Sequence, residues 1–366
     1  MNYLLSRFFN LHRQYVLLGT EDPEKPVPVV PRRRRRQALV LILIPVILLG
    51  SIIANIVFAV KLGKQPTRRP LDNYQHINTF PIASPRVATS GQNAIVTTLY
   101  NDGYVSAVAT LGHSLQKANS TARLIVLYFP SAVSPQSLCL ASSSGWHPVP
   151  VTRIAPPQDG KGINIHFADQ FTKLSLWSLD KIGIESLVYL DADTLVLRNF
   201  DELFQLPFAF AAAPDVWGDQ RGMTLEFNAG VLFLKPNSDV YNHLLEVLPH
   251  TRFPMEFAEQ AFLNQYFAGR TLTLPPVYNG NLAMKTRYPV AWEGLKDEMR
   301  VYHYTMVKPF LTKSYKGLSM DEVILRAQAS EEDYHGAYRE EVVMWEKMWE
   351  EMWVNNQEMR ERCSRV

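Results

Sequence analysis

Cysteine is nearly absent: Cys139 and Cys363 are the only two in 366 residues. That excludes a disulfide framework and a cysteine-built zinc cage, and spacing alone does not say whether the two pair. The chain contains no G-x-x-x-x-G-K-[ST], no G-x-G-x-x-G after a strand, no H-E-x-x-H and no G-x-S-x-G. A Walker-type phosphate loop, a zinc-protease helix and a hydrolase nucleophile elbow are thereby excluded. Charge of one sign is not in excess either. The formal net charge is +2, and residues 1–37 hold eight Lys/Arg against three Asp/Glu, which leaves 29 against 32 in the remainder. The body is slightly acidic, and nothing in it points to nucleic acid.

One long stretch lacks charge altogether. Residues 38–60, A-L-V-L-I-L-I-P-V-I-L-L-G-S-I-I-A-N-I-V-F-A-V, reach ~34 Å as a helix, enough for a bilayer core of ~30 Å. Pro45 and Asn55 are tolerated interruptions in a membrane helix. A cleaved signal peptide is disfavoured because the run is too long and too far from Met1. Arg32 to Arg36 precede it, with a weaker cluster of Lys61, Lys64, Arg68 and Arg69 beyond. The positive-inside rule then predicts a cytosolic basic tail over 1–37, a transmembrane helix over 38–60 and a type II body in the lumen of the Golgi or another secretory compartment. Asn119-Ser120-Thr121 is a glycosylation sequon in agreement with that placement. Residues 61–92, with Pro66, Pro70, Pro81 and Pro85, read as a stem.

Beyond the stem the pattern alternates. Ala94–Leu99 reads as a strand, and Tyr104, Val108, Leu111 and Leu115 recur at helical spacing. Leu124–Phe129 follows as a strand and Pro135–Ala141 as a helix. This order predicts an α/β fold with a mainly parallel sheet. The C-terminal part, from about Asp321 to Arg362, carries Trp345, Trp349 and Trp353 at i, i+4 and i+8. That stripe is expected to pack on the domain; its many Glu residues disfavour an anionic membrane surface.

The chemistry concentrates at Y-L-D-A-D-T-L-V-L-R-N (189–199). Asp191 and Asp193 emerge where the apolar run Leu187–Leu190 ends, at the strand edge where ligands bind in open α/β sheets. Two hard oxygen ligands there suit Mg²⁺ or Mn²⁺, and a cation removes the repulsion between them. On its own D-x-D is a weak signal, since acidic pairs also mark turns and caps.

The residues around the pair resemble a known family. Lys173-Leu174 with Trp177-Ser178-Leu179, then V-Y-L-D-A-D-T-L-V-L-R-N, F-N-A-G-V-L-F-L-K-P (227–236), E-Q-A-F-L-N (259–264), L-P-P-V-Y-N (274–279) and V-Y-H-Y-T-M-V-K-P-F (301–310) look like glycosyltransferase family 8. That family includes the glycogenins, and the nearest resemblance is to fungal membrane-anchored members, N-acetylglucosaminyltransferase types among them. The resemblance implies a GT-A fold with a Rossmann-like mixed sheet over about 93–315, followed by a C-terminal helical extension over 316–366. It also implies a UDP-sugar donor, Mn²⁺ (or Mg²⁺), and retention of anomeric configuration.

By the same resemblance Asp191, Asp193 and His303 hold the metal, and Lys308 adds positive charge against the diphosphate. Thr98, Asn101 and Tyr104 contact uracil and ribose, and Ala192 lines the donor site between the carboxylates. Asn228, Glu259 and Gln260 match sugar-contacting positions, with Lys173, Glu259 and Gln260 the catalytic candidates. Lys173 meets a phosphate or pairs with a carboxylate. The chain departs from the glycogenins in three places: Glu259 replaces an aspartate, Asn164 replaces a basic residue, and one glycine fewer separates His303 from Lys308. The expected activity is transfer of a sugar from UDP to a glycan, protein or lipid acceptor. A self-glucosylating glycogenin-like primer is a rival that the membrane span and the sequon oppose. A non-catalytic scaffold is a second rival, and loss of a metal ligand would have favoured it. A homodimer stays open.

Overall fold

The computed structural model describes residues 32–63, 78, 80–84, 89–313 and 316–365. It divides into two units, Met1–Asp72 and Asn73–Val366. The basic tail up to residue 31 and the stem over 64–77 lie outside the described residues. In the first unit Arg32–Gly63 is one helix, α1, with Pro45 inside it. Its side chains are described only over 43–58 and at 60, and among the described residues no helix is long and apolar enough to cross a membrane.

The second unit is built on a seven-stranded sheet. Its strands are β1 (Asn93–Leu99), β2 (Arg123–Tyr128), β3 (His147–Pro150), β4 (Ser186–Leu190), β6 (Phe210–Val216), β7 (Met223–Leu234) and β8 (Leu272–Thr273), in the order β3-β2-β1-β4-β7-β6-β8. Every residue of β1 and β4 is buried. Both strands are central and covered on two faces, which is why they read as unbroken apolar runs. Ile95, Leu99, Val188 and Leu190 join the core on the side of α2 (Val105–Lys117) and α3 (Pro135–Ser143). Ala94, Val96, Leu187 and Tyr189 join the other core, with Leu174 and Trp177 from the 3₁₀ segment Gln170–Ile182. Behind them stand α4 (Ser238–Val247) and α5 (Ala258–Tyr266).

The sheet is less parallel than the strand-helix alternation suggests. The pairs β3/β2, β2/β1, β1/β4 and β6/β8 are parallel, but β7 is antiparallel to both β4 and β6. A short return between β6 and β7, closed by Trp217 N–H donating to Gly222 O at 3.0 Å, leaves no room for the crossover a parallel pair needs. The result is the α/β, GT-A-like mixed sheet implied by the resemblance.

A second sheet, β5-β10-β9, joins β5 (Thr194–Val196), β10 (Val301–His303) and β9 (Gly280–Asn281). Around it lie α6 (Ala283–Arg287) and α7 (Pro289–Leu295). The C-terminal part forms α8 (Met320–Ser330), α9 (Arg339–Trp349), a π-helical turn (Glu350–Val354) and α10 (Gln357–Cys363). Trp345, Trp349 and Trp353 stack in series with centroids 5.9 Å apart. Trp345 and Trp349 are fully buried in the α2-side core, so the stripe packs on the domain as expected. Cys139 on α3 and Cys363 on α10 form a disulfide.

Candidate active site

β4 runs parallel to β1, so their C-terminal ends lie side by side, and Asp191 follows directly on β4. Asp193 precedes β5, whose antiparallel partner β10 sets His303 opposite Thr194. The ladder continues past the strand: Tyr304 N–H donates to Asp193 O at 2.9 Å. Pairing across more than a hundred residues thus sets the imidazole beside the carboxylates. His303 Nε2 is 3.3 Å from Asp193 and 3.9 Å from Asp191. One ligand atom from each of Asp191, Asp193 and His303 falls within a 4.8 Å cluster. Ala192 sits between the carboxylates, nearly buried.

Asp215 was not among the residues read from the sequence, yet it organises this site. One of its oxygens accepts from Gln260 Nε2 at 2.9 Å; the other accepts from Asn228 Nδ2 at 3.4 Å and Asn281 Nδ2 at 3.3 Å. Because the Asn228 amide nitrogen faces Asp215, its oxygen points away and accepts from Asn279 Nδ2 at 2.9 Å and Gly230 N–H at 3.0 Å. Asn279 then offers its own oxygen to His303 Nδ1 at 3.0 Å. An acceptor there requires Nδ1–H, which leaves an unprotonated Nε2 facing the carboxylates, available to a cation. The sequence held one hint of this: Asn279 and Asn281 sit two apart, the spacing that places strand residues on one face. Asp215 follows an apolar stretch much as Asp191 does.

Gly230 is required by packing. A Cβ on it would lie 2.6 Å from His303 Nδ1, and still closer to Cε1. The ring therefore occupies the space a side chain would take.

Lys173 lies 1% exposed beneath the pair. Its ammonium is 2.8 Å from Glu259 Oε1, 3.1 Å from Asp191 Oδ1, 3.2 Å from Ala229 O, and 4.8 Å from the Tyr189 ring centroid. Of the two partners the sequence left open, a phosphate or a carboxylate, the structure shows carboxylates. Burial pushes the Lys173 pKa down, but Asp191 and Glu259 outweigh it and hold the group well above the usual lysine value. Burial pushes Glu259 up, and the single shared ammonium does not bring it back down. For Asp193, burial acts upward but Lys308 and His303 prevail, keeping the carboxyl well below the usual range. Lys308 forms an ion pair with Asp193. Tyr189 hydroxyl donates to Asp191 Oδ1 at 2.6 Å and lies 3.2 Å from Thr98 Oγ1.

The remaining expected residues fall on the adjoining rim. Asn101 accepts from Gly103 N–H at 2.9 Å, capping the turn after β1. Tyr104 follows with its ring 5.7 Å from that of Phe310. Gln260 also accepts from Ala229 N–H at 3.0 Å. Just before Glu259, Ala258 has φ +47°, a strained setting for a residue with a side chain, and this fixes the direction in which α5 starts.

Two carboxylates and an imidazole lie at the C-terminal edge of a mixed, GT-A-like α/β sheet with amides gathered beside them, a cluster that could hold a metal ion. The sequence model of glycosyl transferase family 8 matches residues 95–313. The chain belongs to that family.

Among curated relatives, glycogenin of Neurospora crassa is 28% identical over 249 residues, covering 65% of this chain and 34% of its own length. Galactinol synthase 2 of Arabidopsis thaliana is 31% identical over 260 residues, covering 62% of this chain and 76% of its own. The chain thus spans about a third of the Neurospora protein. Among solved structures, the apo glycosyltransferase GlyE of Streptococcus pneumoniae aligns with TM-score 0.47 at 18% identity, over 73% of this chain and 64% of its own.

Proposed function

We propose that this protein is a metal-dependent, retaining glycosyltransferase that moves a sugar from a UDP donor to a glycan, protein or lipid acceptor. The observation that carries this reading is the convergence of Asp191, Asp193 and His303 within 4.8 Å, beside the amides held on Asp215. The donor set of two carboxylate oxygens and one imidazole nitrogen suits Mn²⁺ or Mg²⁺. Bound there, the cation would neutralise charge on the departing diphosphate. The residues of the chain do the rest. Lys173 stays cationic and keeps Asp191 oriented. Gln260, Asn228 and Asn281, held by Asp215, line the place of the sugar. Glu259 is committed to the Lys173 ammonium, which supports same-face attack assisted by the leaving phosphate rather than a nucleophilic role for Glu259. A covalent sugar adduct trapped on Glu259 would overturn that part.

Three observations support a lumenal, membrane-anchored setting. Large apolar side chains of α1 are exposed, from Leu43 to Val60, in a stretch, 38–60, that carries no charge. A disulfide belongs in an oxidising compartment. Asn119 of the sequon is exposed.

The test is a UDP-sugar panel on the full-length protein in detergent, with Mn²⁺ or with chelator. Transfer or hydrolysis is expected with one donor, lost on chelation and in Asp193→Ala. Undiminished activity in either case would sink the metal mechanism.

A further inference from the structure

The family match ends at residue 313, but the site does not. Tyr304, next to the metal-ligand position His303, is wholly buried, and its hydroxyl donates to the Glu341 carbonyl on α9 at 2.6 Å. The Glu341 side chain, also buried, accepts from Lys285 on α6 at 2.8 and 2.9 Å. Nearby, Gly317 lies against Gly103 in the turn after β1, so close that a Cβ on Gly317 would fall 2.5 Å from Gly103 Cα. Trp345 packs on Phe310 at 5.7 Å, and Phe310 on Tyr104 at 5.7 Å. The far end is tied down by Cys139–Cys363, across a sequence separation of 224.

We infer that the C-terminal extension is a positioning element of the active site, with Tyr304 the residue through which it holds the metal ligand His303 in place and the disulfide its clasp. The physical reason is the shortness of β10. Three residues, Val301–His303, carry the ligand at their last position, and a strand end frays unless something beyond it is fixed. Two ties secure Tyr304: its N–H to Asp193 O on the metal side, and its hydroxyl to Glu341 O on the extension side. Removal of the second leaves His303 held by Asn279 and its strand pairing alone, and so less firmly set against the carboxylates, while the domain core stays intact. Supporting contacts of this kind are worth ~10–100-fold in metal affinity where they bond the ligand directly. Tyr304 acts one residue away, so the lower end applies.

This inference rests on the proposed metal site, and Mn²⁺ titration calorimetry on the full-length protein in detergent separates the two. Wild type that binds no Mn²⁺ removes the site and the inference together. Where wild type binds, Tyr304→Phe is expected to weaken Mn²⁺ roughly tenfold, with its unfolding midpoint in chelator changed little. Thr286→Val is the control. It deletes the 2.9 Å bond from Thr286 to Tyr338, another, only partly buried tie to the extension, and should leave Mn²⁺ affinity unchanged. Equal binding by Tyr304→Phe and wild type overturns the inference, as does equal weakening by Thr286→Val. Should Tyr304→Phe not fold, Cys363→Ser answers instead. Weaker Mn²⁺ binding supports the clasp and unchanged binding overturns it.

Discussion

Lys173 and Glu259, 86 residues apart in sequence, form a buried ion pair at 2.8 Å whose ammonium is shared with Asp191 at 3.1 Å. One cation therefore serves two carboxylates, and the two partners are not equivalent.

Lys173→Met strips the cation from both carboxylates and leaves buried charge uncompensated, a loss of ~3–5 kcal/mol. Glu259→Gln keeps Lys173 paired with Asp191 and retains an acceptor, so the cost should be ~1 kcal/mol or less. Urea unfolding of the two variants measures the difference. Equal losses would contradict the shared-cation picture.

Gly230→Ala places a methyl group where the His303 ring lies. The ring must leave, and overpacking of this kind costs ~1–3 kcal/mol. The diagnostic result is loss of Mn²⁺ binding in a protein that still unfolds cooperatively. Retained binding would mean that the ring has another place to go.

Asp333 pairs with Arg326 at 2.7 Å and Lys313 at 3.1 Å. Burial acts upward on its pKa, but these two cations prevail and lower it. A carboxyl depressed in the fold contributes stability that is present above its unfolded value of ~3.9 and is lost as pH falls through the folded value. Asp333→Asn should therefore be less stable than wild type at pH 7, with the gap closing below about pH 4. A gap constant down to pH 2 would rule out the ion pair as its source.

Removal of the disulfide by Cys363→Ser is expected to cost ~2–5 kcal/mol, because the unfolded chain is released from a very large closed loop. Wild type in reductant should unfold at the same midpoint as the variant in the absence of reductant. A reductant-insensitive wild type would show the bond absent in solution.

Asn119, exposed after α2, should carry an N-glycan if the body faces a secretory lumen. Expression in a eukaryotic secretory host should give a band that shifts down on glycosidase treatment and in Asn119→Gln. A band unaffected by both would count against lumenal placement.

Short-range pattern made much of this legible. The strands at 93–99, 123–128 and 186–190 and the helices at 105–117 and 135–143 lie within a residue or two of their sequence-based positions. The central strands 93–99 and 186–190 are buried throughout, and the other three each bury an apolar part. The Asp191/Asp193 pair was legible because it follows such a run directly. The expected mainly parallel sheet became mixed once β7 folded back on β6. Asp215 escaped notice because a single aspartate following an apolar stretch looks like any turn residue until three amides are seen to meet on it.

The amino-acid sequence by itself determined the family, the uncharged stretch at 38–60 and the carboxylate pair, because each is written in contiguous residues or in a fixed order of motifs. Only the tertiary structure decided that Cys139 meets Cys363, that one lysine serves two carboxylates, that an Asp215-held amide chain selects the nitrogen His303 presents, and that the C-terminal extension grips the neighbour of that histidine. Those contacts join residues from 13 to 224 positions apart. No local periodicity encodes them. They follow from which strand ends the two sheets bring together and from the few side chains that fit the space left there.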